Sequence, residues 1–264
     1  MFETYILPVI AFLVMGLLAG VLLTVASKVF EVKTDERIEK INEVLPQANC
    51  GSCGFAGCGD YADAIITKNA PCNLCRPGGK TTADKIADIT GSEAGDVESF
   101  KAFVRCSGDC DKNAKVFDFT GVKSCAGIKR FYSGNGACAY GCLGFGDCKN
   151  VCTENAVTIT NKIASIDRVK CIGCGKCRDV CPNHIIDLIP EKTQYVVQCS
   201  SRDNGKQTKL NCQNGCIGCK LCEKNCALEA ITVTDFHASI DYSKCNGCGT
   251  CIEKCPVNAI VKIQ

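Results

Sequence analysis

The chain opens on an uninterrupted apolar stretch. From Tyr5 to Ser27, YILPVIAFLVMGLLAGVLLTVAS, no charged side chain occurs in 23 residues. About 20 apolar residues in a helix span the hydrocarbon core of a bilayer, so the stretch predicts a transmembrane anchor over residues 1–30. A cleavable signal peptide fits less well, because no basic region precedes the run and it exceeds the usual ~7–15 apolar residues. A buried helix of a soluble domain is the other alternative. Glu3 is the only charged side chain before the span, whereas Lys28, Lys33, Arg37 and Lys40 follow it, a bias that predicts the remainder in the cytoplasm. Gly16 and Gly20 would allow close packing of a second helix in lipid. The period then changes. In TDERIEKINEVL (34–45), Ile38, Ile41, Val44 and Leu45 share one side, which predicts a short amphipathic helix, a stalk over residues 31–46 with core packing as the default role of its apolar side.

Much further along, the pattern alternates with a period of two. AVTIT…ASID from Ala156 and AITVT…ASID from Ala230 predict short strands, and the two stretches belong to a longer repeat. AVTITNKIASIDRVKCIGCGKCRDVCP aligns without a gap with AITVTDFHASIDYSKCNGCGTCIEKCP, 74 residues later. Upstream, Cys125, Cys138, Cys142, Cys148 and Cys152 align with Cys199, Cys212, Cys216, Cys222 and Cys226. Two copies of one unit are expected, over about 122–186 and 196–260. Between them Asp203-Asn204-Gly205 predicts a hairpin turn.

The repeat is built around cysteine. There are 26 in 264 residues, a density usual in small disulfide-stapled secreted chains. This chain is too long for that class, and its thiols recur with two and three residues between them, too close to pair with each other easily. Several thiolates converging on one inorganic group, in a reducing compartment, is the better reading. CGSCGFAGC gives C-x2-C-x4-C at Cys50, Cys53 and Cys58, with Cys75 after sixteen intervening residues. Cys72 competes for that fourth place, and Cys75 is preferred. Zinc is the alternative to a [4Fe–4S] cluster at this module.

CIGCGKCRDVCP (Cys171 to Pro182) and CNGCGTCIEKCP (Cys245 to Pro256) resemble the C-x2-C-x2-C-x3-C-P run of bacterial two-cluster ferredoxins, whose fourth cysteine ligates the other cluster. The crossed rule gives Cys216, Cys219, Cys222 with Cys255, and Cys245, Cys248, Cys251 with Cys226. In the first unit Phe145 stands where Cys219 stands in the second. Cys138 is the nearest spare thiol, so the expected sets are Cys138, Cys142, Cys148 with Cys181, and Cys171, Cys174, Cys177 with Cys152. Five [4Fe–4S] clusters follow. Cys106, Cys110, Cys125, Cys199 and Cys212 would suffice for a sixth, set against ordinary buried thiols.

The formal net charge of +2 gives no basic footprint for nucleic acid. Five clusters with their thiolates would move it to about −8. GNGACA (Gly134 to Ala139) imitates a dinucleotide fingerprint but leads into cysteines rather than a βαβ unit. No P-loop and no nucleophile–base pair occurs, and His184 and His237 have packing or surface roles as the default. No catalytic residue is assigned, and the sequence describes an electron carrier.

Anchor (1–30), stalk (31–46), four-cysteine module (47–95), connecting segment (96–121) and two ferredoxin-like units (122–190 and 191–264) form an α+β architecture. This order, with ERIEKINEVLPQANCGSCGFAGCGDYA and CAYGCLGFGDC, resembles the B-type subunit of the Rnf complexes over essentially the whole chain. The resemblance implies an electron-transfer subunit of an ion-translocating ferredoxin:NAD+ oxidoreductase in the cell membrane. Its partners would be reduced soluble ferredoxin and the other membrane and peripheral Rnf subunits, with Na+ or H+ as the ion moved. A relay subunit of a hydrogenase or formate dehydrogenase complex, and an iron–sulfur redox sensor, are the alternatives.

Overall fold

The computed structural model of the protein describes residues 7–29 and 35–263. Glu3, Tyr5 and Ile6 before the span, and Lys33 and Thr34 after it, lie outside the described residues. The apolar stretch forms one helix, α1 (Leu7–Val29), about 34 Å long at 1.5 Å per residue, enough to cross a bilayer core of about 30 Å. Phe12, Leu13, Leu17, Leu22 and Leu23 along it are exposed. The Thr24 hydroxyl donates to the Gly20 carbonyl (2.7 Å) and so carries no unmet polar group.

The amphipathic stretch forms α2 (Glu36–Val44), capped by Asp35, whose carboxylate accepts the Arg37 N–H. It packs against α3 (Cys58–Thr67) and α4 (Gly79–Thr90). The predicted apolar face is the one buried: Ile41 and Leu45 enter a core with Tyr61, Ile65 and Ile86, and Ile38 and Val44 pack beside them. The segment is therefore part of the four-cysteine module rather than a separate stalk. An isolated nine-residue helix is marginal, and only the α3–α4 surface removes its apolar stripe from water.

Next come β1 (Phe100–Val104), α5 (Cys125–Tyr132), α6 (Asp147–Asn150), β2 (Val157–Thr160), β3 (Ile163–Ile166), α7 (Lys176–Asp179) and β4 (Ile186–Pro190). The second unit has β5 (Tyr195–Val197), α8 (Gly205–Asn211), α9 (Leu221–Lys224), β6 (Ile231–Thr234), β7 (His237–Ile240), α10 (Thr250–Glu253) and β8 (Ile260–Lys262). Each unit holds two two-stranded antiparallel sheets, β2–β3 with β1–β4, and β6–β7 with β5–β8. The turns Asn161-Lys162 and Asp235-Phe236 have φ of +50°, +61°, +48° and +59°, as a two-residue hairpin of the twist-compatible type requires.

Two expectations change. The segment 96–121 is not only a connection: it supplies β1, which pairs with β4 from Phe100↔Pro190 to Val104↔Ile186. The first unit thus begins before residue 122. Asp203-Asn204-Gly205 starts α8 instead of turning a hairpin, because the Asn204 side chain accepts the Gln207 N–H (2.9 Å) and caps the helix. The units meet where Phe103, Ile189 and Val196 are buried together with Tyr242, Val261 and Ile263 at their edge.

His237 occupies the repeat position of Ile163 and behaves as a packing residue. Its Nδ1 is buried without a partner, and burial, then Arg105 and Arg202, lower its pKa to about 4. The unfolded imidazole takes its proton near pH 6.5, so between pH 6.5 and about 4 the unfolded state binds more protons and stability falls as pH falls. His237→Ile is expected to flatten that part of the profile, measured as the thermal midpoint of the detergent-solubilised protein against pH; an unchanged slope would assign the sensitivity to other groups.

Candidate iron–sulfur centres

The module gathers its predicted thiols through Tyr61. This buried side chain donates its hydroxyl proton to the Pro71 carbonyl (2.6 Å) and accepts the Leu74 N–H (3.2 Å), which fixes the loop carrying Cys75. Burial pushes the Cys75 thiol up to about 11; the Gly78 amide opposes this, and Cys58, Cys53 and Cys50 add to the rise. Cys72 instead lies 3.1 Å from Ser92 Oγ and 3.7 Å from Thr90 Oγ1.

In the second unit Cys216, Cys219, Cys222 and Cys255 line one hollow, beneath Val233, Ala238 and Ile260. Cys245, Cys251 and Cys226 pack against the same core. In the first unit Cys171, Cys174 and Cys152 surround Cys177, whose thiol burial, followed by these neighbours, raises to about 12. Glycine matters at two of these loops. Gly173 has φ +70° and Gly144 +75°; a Cβ would strike the Phe100 carbonyl in one and stand 2.6 Å from the Lys162 carbonyl oxygen in the other. Either clash would push the cysteine loop off the sheet or hairpin beneath it.

The expected set of Cys138, Cys142, Cys148 and Cys181 is not brought together. Cys142, Cys148 and Cys181 line a hollow with Cys125 as the fourth thiol. Cys125 opens α5, where Ser124 caps the helix. Asp147 holds that end by accepting the N–H groups of Cys125 and Ala126 and the Ser124 hydroxyl, each at 3.0 Å. Burial resists ionisation of Asp147, but these three donors outweigh it and keep its carboxyl below the usual range. Cys138 does not line that hollow; it lines one with Cys106, Cys199 and Cys212 and another with Cys110 and Cys142. Spacing favoured Cys138 because it is near in sequence; the chain between residues 109 and 135 loops out and brings Cys125 back instead. The Asp147 carboxylate in GFGDC, absent from the second unit where Leu221 stands, was the available signal.

Four thiolates on one zinc ion would each lie about 2.3 Å from it. Among the described residues no three Cys, His, Asp or Glu side chains converge in that way; the thiols ring hollows. Amides also point at the sulfurs: Ala156, Ala230 and Ala259 donate to Cys152, Cys226 and Cys255 at 3.3, 3.3 and 3.2 Å, and Ala102 to Cys171 at 3.4 Å. Such donors stabilise charge on sulfur and tune the potential of a cluster. The donor set and the hollows fit [4Fe–4S] groups. Burial keeps the Cys148 thiol up at about 12, so that ligand gives up a proton on loading.

A ring of cysteine pockets behind one bilayer-length helix defines a multi-cluster iron–sulfur electron carrier with a membrane anchor. A family model described as "4Fe-4S binding domain" matches residues 164–187 and 238–261, and one described as "Putative Fe-S cluster" matches 45–77. The B-type subunit of the ion-translocating oxidoreductase complex of Methanosarcina acetivorans is 39% identical over 93% of this chain and 94% of its own length. The B-type subunit of the Na(+)-translocating ferredoxin:NAD(+) oxidoreductase complex of Acetobacterium woodii is 40% identical over 98% of this chain and 78% of its own. The proton-translocating counterpart of Clostridium ljungdahlii is 38% identical over 99% and 93%. The chain belongs to the family of B-type Rnf complex subunits. It is an electron-transfer subunit of that kind of oxidoreductase and works with the other Rnf subunits, which decides against a hydrogenase or formate dehydrogenase module and against a sensor.

Proposed function

We propose that the chain passes electrons singly from reduced soluble ferredoxin to the membrane subunits of its complex, with the C-terminal units in the cytoplasm, while NAD+ is reduced elsewhere in the complex and Na+ or H+ is moved. The observation that carries this reading is that the thiol sets of the module and the first unit adjoin in series. Cys50 of the module is close enough to Cys174 to bear on its ionisation, and Lys176 Nζ donates to the Ala48 carbonyl (3.0 Å) beside them. Cys148 in turn neighbours Cys177. Bound [4Fe–4S] clusters supply one-electron chemistry there. The chain's own part is to hold the sulfurs, aim amides at them and cover them with the two hairpins.

The ligand sets follow the sequence reading with Cys125 in place of Cys138: Cys50, Cys53, Cys58, Cys75; Cys125, Cys142, Cys148, Cys181; Cys171, Cys174, Cys177, Cys152; Cys216, Cys219, Cys222, Cys255; and Cys245, Cys248, Cys251, Cys226. Cys219 and Cys248 are exposed, which supports electron entry at the second unit. The module follows α1 in the chain, which supports exit there, and the basic residues after α1 support the cytoplasmic orientation.

The test is NAD+ reduction by reduced ferredoxin in membrane vesicles carrying the whole complex. Cys177→Ser is expected to abolish NADH formation while freeze-quenched EPR still shows ferredoxin-dependent reduction in the second unit. NADH formation at the wild-type rate in vesicles lacking this chain would refute the relay.

A further inference from the structure

The five sets above leave Cys106, Cys138, Cys199 and Cys212 together. We propose that these four hold a sixth [4Fe–4S] centre, shared between the two ferredoxin-like units and joining their electron paths; the proposal rests on the iron–sulfur reading of the other sets.

The hollow they line is comparable in size to the two ferredoxin hollows. Each unit contributes two thiols from matching places. Cys106 follows β1 in FVRCS and Cys199 follows β5 in VVQCS. Cys138 and Cys212 are repeat partners, and each carbonyl accepts the N–H of a glycine three residues on, Gly141 and Gly215, both at 3.3 Å. The seam is reciprocal: Ser107 Oγ donates to the Gln198 carbonyl (3.3 Å) and Ser200 Oγ to the Arg105 carbonyl (2.8 Å). Four thiols thus approach a local two-fold axis, two from each side.

The sulfurs are prepared for charge. Cys106 Sγ accepts the Cys142 N–H at 3.3 Å, and Cys199 Sγ accepts the N–H groups of Cys216 (3.2 Å) and Ser201 (3.4 Å). Gly108 keeps the floor open, since a Cβ there would stand 3.1 Å from Cys212 Sγ and 3.8 Å from Cys106 Sγ. The donors Cys142 and Cys216 are ligands of the flanking sets. One N–H···S bond therefore separates the shared site from a ligand of each neighbour, and the site closes the gap between the units. Loading exchanges four S–H bonds for four Fe–S bonds and releases four protons, with iron and sulfide from the same supply that fills the other sites. In service one electron enters from one unit and one leaves to the other, with no atom transferred. Six sets of four then use every cysteine except Cys72 and Cys110.

Native mass spectrometry of the full chain, purified anaerobically in detergent, should give the mass of six clusters, with about 24 iron and 24 sulfide per chain. Cys138→Ser with Cys212→Ser, and separately Cys106→Ala with Cys199→Ala, should each lose about four of both, together with one component of the dithionite-reduced EPR spectrum. Gly108→Leu, which leaves all four thiols in place, should lose the same component, and Cys72→Ser or Cys110→Ser should lose none. A wild-type mass of five clusters overturns the shared site alone. Five clusters and one zinc, with the zinc lost in the double variants, overturns its identity as a cluster. A wild-type chain without any cluster overturns the relay reading as well.

Discussion

Cys125→Ser is expected to remove one whole cluster from the first unit, with loss of about four iron atoms per chain, and to reduce ferredoxin-dependent NADH formation to background. The reason is geometric. Cys142, Cys148 and Cys181 share their hollow with Cys125, and the second cysteine of the ordinary ferredoxin run is replaced by Phe145, whose ring instead packs edge-on against Phe119 at 5.8 Å. Adding Phe145→Cys to Cys125→Ser recreates the second unit's C-x2-C-x2-C spacing and is expected to restore the iron and the EPR signal of that centre. Cys138→Ser should leave that signal in place. The reverse pattern, with the signal lost on Cys138→Ser and retained on Cys125→Ser, would return the ligand to the position that spacing alone suggests. Asp147→Ala should weaken the same centre less than Cys125→Ser, because it frees the N-terminus of α5 without removing a thiol. The comparison is best made as iron retained after mild chelation.

The second large effect is the collapse of the ferredoxin-like units when iron is removed. Their sheets have two strands each, and such hairpins are at best marginal alone. Their helices α6, α7, α9 and α10 have four residues, far below the length at which a helix sustains itself. In the first unit Cys106, Cys148, Cys171 and Cys177 are part of the buried core itself, alongside residues such as Ala164 and Ile186. Without clusters these side chains face open hollows, and packing lost on one side of a core residue is not recovered. Structural metals contribute about 10–16 kcal/mol in small zinc domains, comparable with the whole stability of an ordinary domain, about 5–15 kcal/mol. Oxidative removal of iron should abolish hydrogen-exchange protection in β2, β3, β6 and β7. The module should keep partial protection in α3 and α4, where Tyr61, Ile65 and Ile86 form an apolar core of their own. Hairpins that stay protected in iron-free protein would mean that the polypeptide core suffices.

The sequence was most informative where function depends on neighbours along the chain. The three cysteines of C-x2-C-x2-C, such as Cys171, Cys174 and Cys177, must face a common point because the chain between them is too short to carry them apart, while the fourth, Cys181, turns to the companion set. The anchor was equally legible, since 23 residues without a charge have few uses outside a membrane. The face of α2 followed from its period. Its role did not: the same stripe serves a free stalk or a packed helix, and only α3 and α4 decide.

By itself, then, the sequence determined the order of modules, the duplicated unit and the thiols supplied by contiguous runs. Only the tertiary structure shows which distant segments come back to the contiguous thiols. Cys125 stands 17 residues before Cys142 in the chain, and Cys106 stands 36 before it, against 17 from Cys199 to Cys216. The extra length in the first unit hides the equivalence of Cys106 with Cys199 from an ungapped alignment. It is recovered by the pairing of β1 with β4 and of β5 with β8. Closing a longer loop costs little additional entropy, so sequence distance is a weak guide to the fourth ligand. Burial of the strand or helix that carries it is the stronger one.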